Sequence, residues 1–341
     1  MGVRVFIATP LEADLVERLR AVDERLDIQY EPELLPPVRY PSDHRGDPSF
    51  VRPPRYNELV AGAEVLFGFP GDTSEGLAWA VRNAPGLRFV QGTAAGAGQQ
   101  VAAAGLTDDE LARVQITSAV GVHAVPLAEW TMLALLAFTR DLAHLQKAQT
   151  ERRWEHYANH ELRGQTVVVV GVGAIGLEIA RLADAFGMRV LGVKRHIEPL
   201  PHLSSVHPPE DLDELVGDAD AVVVTLPLTD ETRGLVSRRT IERMRPNAVF
   251  VNIGRGGVVD EEALIEALQA NRIRAALDVF AEEPLPDSSP LWSLPNVLIS
   301  PHTMALSFHE NERIVELFAE NLRRYLAGEE LLRLVRVPLF Y

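Results

Sequence analysis

Four consecutive valines running straight into a glycine-rich turn constrain this chain more than any other feature of its sequence. Thr166 to Val170 reads TVVVV, the next residues are GVGAIG, and helical spacing of apolar residues follows to about Phe186. β-branched side chains lose rotamer freedom in a helix and pack well on a pleated surface, so the valine run reads as a strand buried on both faces. Glycine at 171 permits the tight turn, glycine at 173 lets backbone approach a pyrophosphate, and glycine at 176 lets the helix sit close on the strand. The helix then turns its amide end toward the phosphates. Gly173, Ala174, Ile175 and Gly176 are therefore expected to bind a dinucleotide. A glycine turn without a ligand is the alternative, and it does not require strand, motif and helix to fall in this order.

The rest of the chain repeats the alternation. Short apolar runs ending in Gly, Pro or Thr are separated by segments of helical periodicity, the pattern of parallel β-α-β units. A first series places strands over Val3 to Ala8, Val65 to Phe69, Leu87 to Gln91 and Val114 to Ser118. A second places them over Thr166 to Val170, Arg189 to Val193, Ala221 to Leu226, Ala248 to Ile253, Ala275 to Val279 and Val297 to Ser300, enough for a doubly wound dinucleotide-binding sheet. At 341 residues the chain has the length for two domains with separate cores. The fold class is thus α/β with two doubly wound parallel-sheet domains, meeting near Gly121. Val125 to Leu145 reads as one long apolar connector helix, Ser307 to Ala327 as a helix ended by Gly328, and the proline-rich stretch Glu31 to Pro54 as an extended surface loop.

Composition narrows the partners. Lys and Arg number 33 against 48 Asp and Glu, a net charge of -15, which argues against nucleic acid or an anionic membrane as the main partner. With no cysteine, thiolate chemistry, disulfides and cysteine metal sites are excluded. The apolar stretch Ala124 to Phe138 is too short to span a bilayer and the N-terminus lacks the pattern of a signal peptide, so a cytoplasmic location is expected. His156 and His160 are spaced to share a helix face, but no third ligand with metal spacing accompanies them, and no metal is expected.

About 20 residues past the glycines, an NAD site normally offers a carboxylate to the ribose, whereas an NADP site offers cations. Here the strand RVLGV ends in Lys194, Arg195 and His196. Arg195 can hold a 2'-phosphate in a fork and Lys194 can add a point charge, so NADP(H) is favoured over NAD(H). The alternative makes these cations solvated residues and sends Glu198 to the ribose.

Three polar residues follow late strands of the second series: Arg255 in VNIGRGGVVD, Glu283 in ALDVFAEEPLP and His302 in LISPHT. Singly, each has a plain reading as a turn or loop residue. Together they supply what reduction of a 2-oxo acid needs. A guanidinium binds the anionic substrate and polarises its ketone, a histidine delivers the proton, and a carboxylate beside the histidine orients it and favours its protonated form.

With these motifs in order, together with TLPLTDETRGLV and MRPNAVFVNIGRGGVVDEEALIEAL, the chain resembles the D-isomer-specific 2-hydroxyacid dehydrogenases, which include glyoxylate, hydroxypyruvate and phosphoglycerate dehydrogenases. The resemblance implies a flavodoxin-like substrate domain over 1–120 and 304–341, and a Rossmann dinucleotide-binding domain over 121–303. It implies Asp278 at the nicotinamide carboxamide, Thr225, Pro227 and Ile253 along the cofactor cleft, and a homodimer whose domains close over their ligands. In GTAAGAG it implies that the backbone of Ala95, Gly96 and Ala97 receives the substrate carboxylate, with Arg255 and His302 also contacting substrate. Two departures bear on which 2-oxo acid is taken. The loop lacks the frequent Val-Asp after its glycine, and Met304, Ala305 and Leu306 follow the histidine where small residues are usual. Formate dehydrogenase, which pairs its histidine with glutamine, fits less well because Glu283 stands there. A dinucleotide-sensing binding protein or corepressor of the same fold is the rival from another class, to be separated by turnover.

Overall fold

The computed structural model describes residues 2–336. They form two compact units, one of residues up to 123 together with 306 onward, the other of residues 124–305. Every strand pairing within each sheet is parallel.

The first unit holds β1 (Val3–Ile7), β2 (Leu26–Gln29), β3 (Val65–Phe67), β4 (Phe89–Gln91) and β5 (Gln115–Thr117), ordered β2-β1-β3-β4-β5. The second holds β6 (Thr166–Val170), β7 (Arg189–Val193), β8 (Ser205–His207), β9 (Ala221–Val224), β10 (Val249–Asn252), β11 (Arg274–Leu277) and β12 (Val297–Ile299), ordered β12-β11-β10-β9-β6-β7-β8. These are the flavodoxin-like and Rossmann strand orders. Val167 to Val170 are wholly buried, as a strand covered on both faces must be. In the second sheet the order reverses between β6 and β9, and ligands bind such sheets at the carboxyl ends of the strands flanking that reversal. The glycine turn leaves β6 there.

Four expectations need correction. β2 and β8 were not expected; both are edge strands, paired on one side only, and LDIQ and SVH carry no continuous apolar run. The connector helix is two helices, Ala124–Thr139 and Leu142–Thr150, broken at Asp141, whose φ of 52° leaves the helical region. His156 and His160 lie in a segment without helix, so they share no helix face. The stretch Glu31 to Pro54 is not simply a surface loop. Asp43 accepts hydrogen bonds from the Arg39 amide and guanidinium and from the Gly46 amide, and Ser42, Asp43 and His44 are buried. The C-terminal helix Glu310–Ala327 ends at Gly328 in the left-handed conformation, as glycine there permits. Among the described residues, no helix is long and apolar enough to cross a membrane.

Two groups of the first unit, buried His44 and half-buried Asp72, titrate in opposite senses. Burial lowers the His44 pKa to about 4, so protons bind the unfolded chain first and stability is lost as pH falls from the ordinary histidine value toward 4. Burial raises the Asp72 pKa to about 6, so the folded chain binds its proton first and stability is gained over nearly the same window. The two largely cancel. We expect His44→Gln to remove a loss on the order of 3 kcal/mol at pH 4, and Asp72→Asn to make the protein more acid-sensitive. Urea midpoints measured from pH 7 to pH 4 check both signs, and parallel curves for both variants and the parent would show that neither group is coupled to folding.

Candidate active site

The glycine turn is built as a phosphate cradle requires. Gly171 has φ of 102°, and a Cβ there would meet the Thr225 hydroxyl and Leu226 at 2.8 Å. A Cβ on Gly176 would come within 2.3 Å of the Gly171 carbonyl, so strand, turn and helix touch backbone to backbone. Gly173 differs, because a Cβ there would meet nothing within 4 Å. The protein's own packing leaves that space open, as close approach of a pyrophosphate to this backbone requires. Gly173 caps the helix Ala174–Ala185 without a side-chain hydrogen bond, so the first-turn amides of that helix have no capping acceptor. These residues fit a dinucleotide. Thr225, at the end of β9, donates to the Gly171 carbonyl at 2.5 Å and ties the turn across the sheet reversal. The Pro227 carbonyl accepts from Thr232, and Ile253 is buried with its amide on Val224.

At the end of β7, Lys194 pairs with Glu198 and Arg195 with Glu231, and Arg195 and His196 are exposed. Each cation beyond the strand is thus matched by a carboxylate at the surface.

Arg255, Glu283 and His302 stand on the loops that leave β10, β11 and β12, which are neighbours in the sheet. Glycines set the first of these loops. A Cβ on Gly254 would lie 2.5 Å from the Leu226 carbonyl oxygen, and one on Gly256 would lie 1.9 Å from the Phe280 carbonyl carbon. Arg255 is therefore clamped between the β9 loop and the loop that carries Glu283. Buried Asn252 staples the same turn, accepting from the Gly254 amide at 3.1 Å and donating to the Arg255 carbonyl at 3.2 Å. The guanidinium is half-buried and donates to the Gly254 carbonyl at 2.7 Å. Burial lowers its pKa and the Glu283 carboxylate partly offsets this, an environment that disfavours bare charge and rewards an incoming anion.

Glu283 is held at one oxygen by the Phe280 amide, 3.0 Å, and meets His302 Nδ1 with the other at 2.7 Å. The two side chains are 36% and 43% exposed, so solvent screens the pair and its main effect is to fix the ring. With Nδ1 on the carboxylate, Nε2 is the nitrogen left to exchange a proton with a substrate. Asp278, a residue singled out for the cofactor, is buried, and its Oδ1 accepts from Ser300, Thr303 and Met304. Met304 and Ala305 pack against the core that contains Leu127 and Trp130, so packing accounts for their size.

The small-residue loop lies in the first unit, between β4 and the helix Ala97–Ala103. Gly92 is required because a Cβ would meet the Thr117 carbonyl at 2.8 Å. The amides of Ala95 and Gly96 have no acceptor among the described residues, whereas Ala97 is fully buried with its amide on the Ala94 carbonyl. Sequence reasoning missed Asn252, Gly254 and Gly256 as parts of the site. The GRG spacing around an arginine was the available signal, but which backbones press on it is visible only in three dimensions. Among the described residues, no cluster of three or more His, Cys, Asp or Glu could hold a metal ion.

Residues 132–304 match the family model described as D-isomer specific 2-hydroxyacid dehydrogenase, NAD binding domain. A glyoxylate reductase of Thermococcus gammatolerans is 35% identical over 259 residues, 72% of this chain and 75% of that protein. A D-3-phosphoglycerate dehydrogenase of Methanocaldococcus jannaschii is 35% identical over 227 residues, covering 65% of this chain but only 43% of that longer protein. Among solved structures, a D-isomer specific 2-hydroxyacid dehydrogenase of Xanthobacter autotrophicus, in complex with NADPH and MES, superposes with a TM-score of 0.77 at 29% identity, over 100% of this chain and 99% of that one.

Proposed function

The chain belongs to the D-isomer specific 2-hydroxyacid dehydrogenase family, and we propose that it reduces a small 2-oxo acid to the D-2-hydroxy acid, or runs that reaction in reverse. The observation that carries the proposal is the 2.7 Å contact of His302 Nδ1 with Glu283, on the loop next to clamped Arg255, in the unit that also contains the glycine cradle. A bound nicotinamide dinucleotide supplies or accepts the hydride. Arg255 holds the substrate anion and draws charge onto the ketone oxygen. His302 gives a proton from Nε2 to that oxygen as charge develops there, and takes it back in the oxidative direction. Glu283 keeps the ring turned for this transfer. The amides of Ala95 and Gly96 are assigned to the substrate carboxylate, on the chemistry of two donors without acceptors. Cofactor oxidation measured across a matrix of 2-oxo acids with NADPH and NADH tests the reading. No turnover with any of them, alongside retained dinucleotide binding, would leave the chain a nucleotide-sensing protein.

NADP(H) is the proposed cofactor. Lys194 and Arg195 supply the cations a 2'-phosphate needs, Lys194 already occupies the Glu198 carboxylate that would otherwise face a ribose, and the related Xanthobacter enzyme was crystallised with NADPH. Arg195→Asp should cut kcat/KM with NADPH by about 10- to 100-fold while changing the NADH value little, because a bidentate charged contact is worth about 1.5–3 kcal/mol. An unchanged ratio between cofactors would falsify the assignment.

A homodimer is proposed as well. On the second unit, Leu133, Leu142, Leu145 and Trp154 are exposed, the last at 91%, and these are apolar side chains that a partner subunit would cover. Light scattering of the purified chain should give about twice its 37.6 kDa mass. A monomer at micromolar concentration would end this part of the proposal.

A further inference from the structure

We infer that Asp278 is a positioning residue for His302, its carboxylate closing the turn that holds the histidine in place. The inference rests on the role proposed for His302 and extends it to a group that does not touch substrate. β12 ends at Ile299, and the Ser300 amide makes the last ladder bond, to the Leu277 carbonyl at 2.9 Å. Asp278, 1% exposed, comes directly after Leu277. Its Oδ1 accepts from Ser300 Oγ at 2.6 Å, from the Thr303 amide at 3.0 Å and from the Met304 amide at 3.3 Å. The donors lie on both sides of His302.

His302 itself has φ of 55°, a left-handed conformation that a non-glycine residue keeps only where its surroundings over-determine it. One carboxylate oxygen provides much of that determination. The chain leaves the sheet at Ser300, turns over His302, and is caught again by the same atom at Thr303. At the apex of this turn the imidazole meets Glu283. The backbone of Asp278 is fixed in its turn, since its amide donates to the Asn252 carbonyl at 3.0 Å. A residue that bound only the cofactor would have no reason to direct an oxygen at three donors around the proton-transfer group.

The test compares Asp278→Ala, which removes the acceptor, with Asp278→Asn, which keeps Oδ1 without the charge. With a 2-oxo acid substrate, Asp278→Ala should lower kcat by about 100-fold, the scale of a misplaced catalytic group, and the loss should persist at saturating NADPH, which separates it from any change in cofactor affinity. Asp278→Asn should recover at least about tenfold of that loss, because the loop keeps its acceptor. In a His302→Ala background, Asp278→Ala should cost less than about threefold, since its effect then has nothing to act through. Independently of turnover, amide exchange over residues 300–304 should speed up by about tenfold in Asp278→Ala and stay near the parent rate in Asp278→Asn. If Asp278→Ala does not fold, Ser300→Ala, which removes one of the three donors, should give the same pattern at about three- to tenfold.

Weakened NADPH binding at normal kcat, an undiminished loss in the His302→Ala background, or unchanged exchange across the loop would each overturn the inference. Absence of parent turnover with every 2-oxo acid would instead defeat the proposed function alone, and the exchange measurement would still decide whether Asp278 holds the loop.

Discussion

His302→Ala should lower kcat for 2-oxo acid reduction by about 10²- to 10⁴-fold, the range for removing a positioned general acid, while the dissociation constant for NADPH stays within about twofold. Nδ1 is committed to Glu283, so Nε2 is the one ring nitrogen available to the substrate, and its removal leaves the developing charge on the ketone oxygen without a proton. The glycine cradle, the Thr225 tie and the cations after β7 are separate side chains and backbone, and the substitution touches none of them. Glu283→Gln would be milder, because an amide oxygen still accepts from Nδ1 while the negative charge is lost. Single-turnover measurement with pre-bound NADPH isolates the chemical step from binding. Near-normal turnover of the alanine variant would show that another group, or water, delivers the proton.

Gly256→Ala should be almost as damaging, although it removes no functional group. The added methyl would sit 1.9 Å from the Phe280 carbonyl carbon and 2.3 Å from the Ala281 nitrogen, a collision with backbone that no rotamer relieves. Either the loop of Arg255 or the loop of Glu283 must move. Displacement by about 1 Å at a reacting centre costs about 100-fold in rate, and overpacking of this kind costs about 1–3 kcal/mol of stability. We therefore expect a loss of about 100-fold in kcat/KM with a folded protein that melts several degrees lower. Gly173→Ala provides the contrast, since its Cβ meets no protein atom: it should leave stability within about 0.5 kcal/mol and act through dinucleotide affinity. Should Gly256→Ala retain full activity, the two loops are not mechanically joined as their contact implies.

Much of this protein was written in local order. The valine run followed by glycines, and the alternation of apolar runs with helical periods, determined the α/β class, the dinucleotide turn and the three polar residues after late strands, because those signals are carried by neighbours in the chain. Strands built on an apolar run were legible, the edge strand β12 (VLI) among them, whereas the edge strands β2 and β8, LDIQ and SVH, carry no such run. Tertiary structure alone decided what clamps Arg255, why Gly173 is open while Gly176 is crowded, and which donors Asp278 gathers around His302. It also turned part of a proline-rich loop into a buried structure around Asp43 and His44. The clamp on Arg255 and the donors around His302 depend on segments brought together from separate strands, and the glycines differ by more than an ångström in the space their backbones leave, a distance that spacing along the chain does not record.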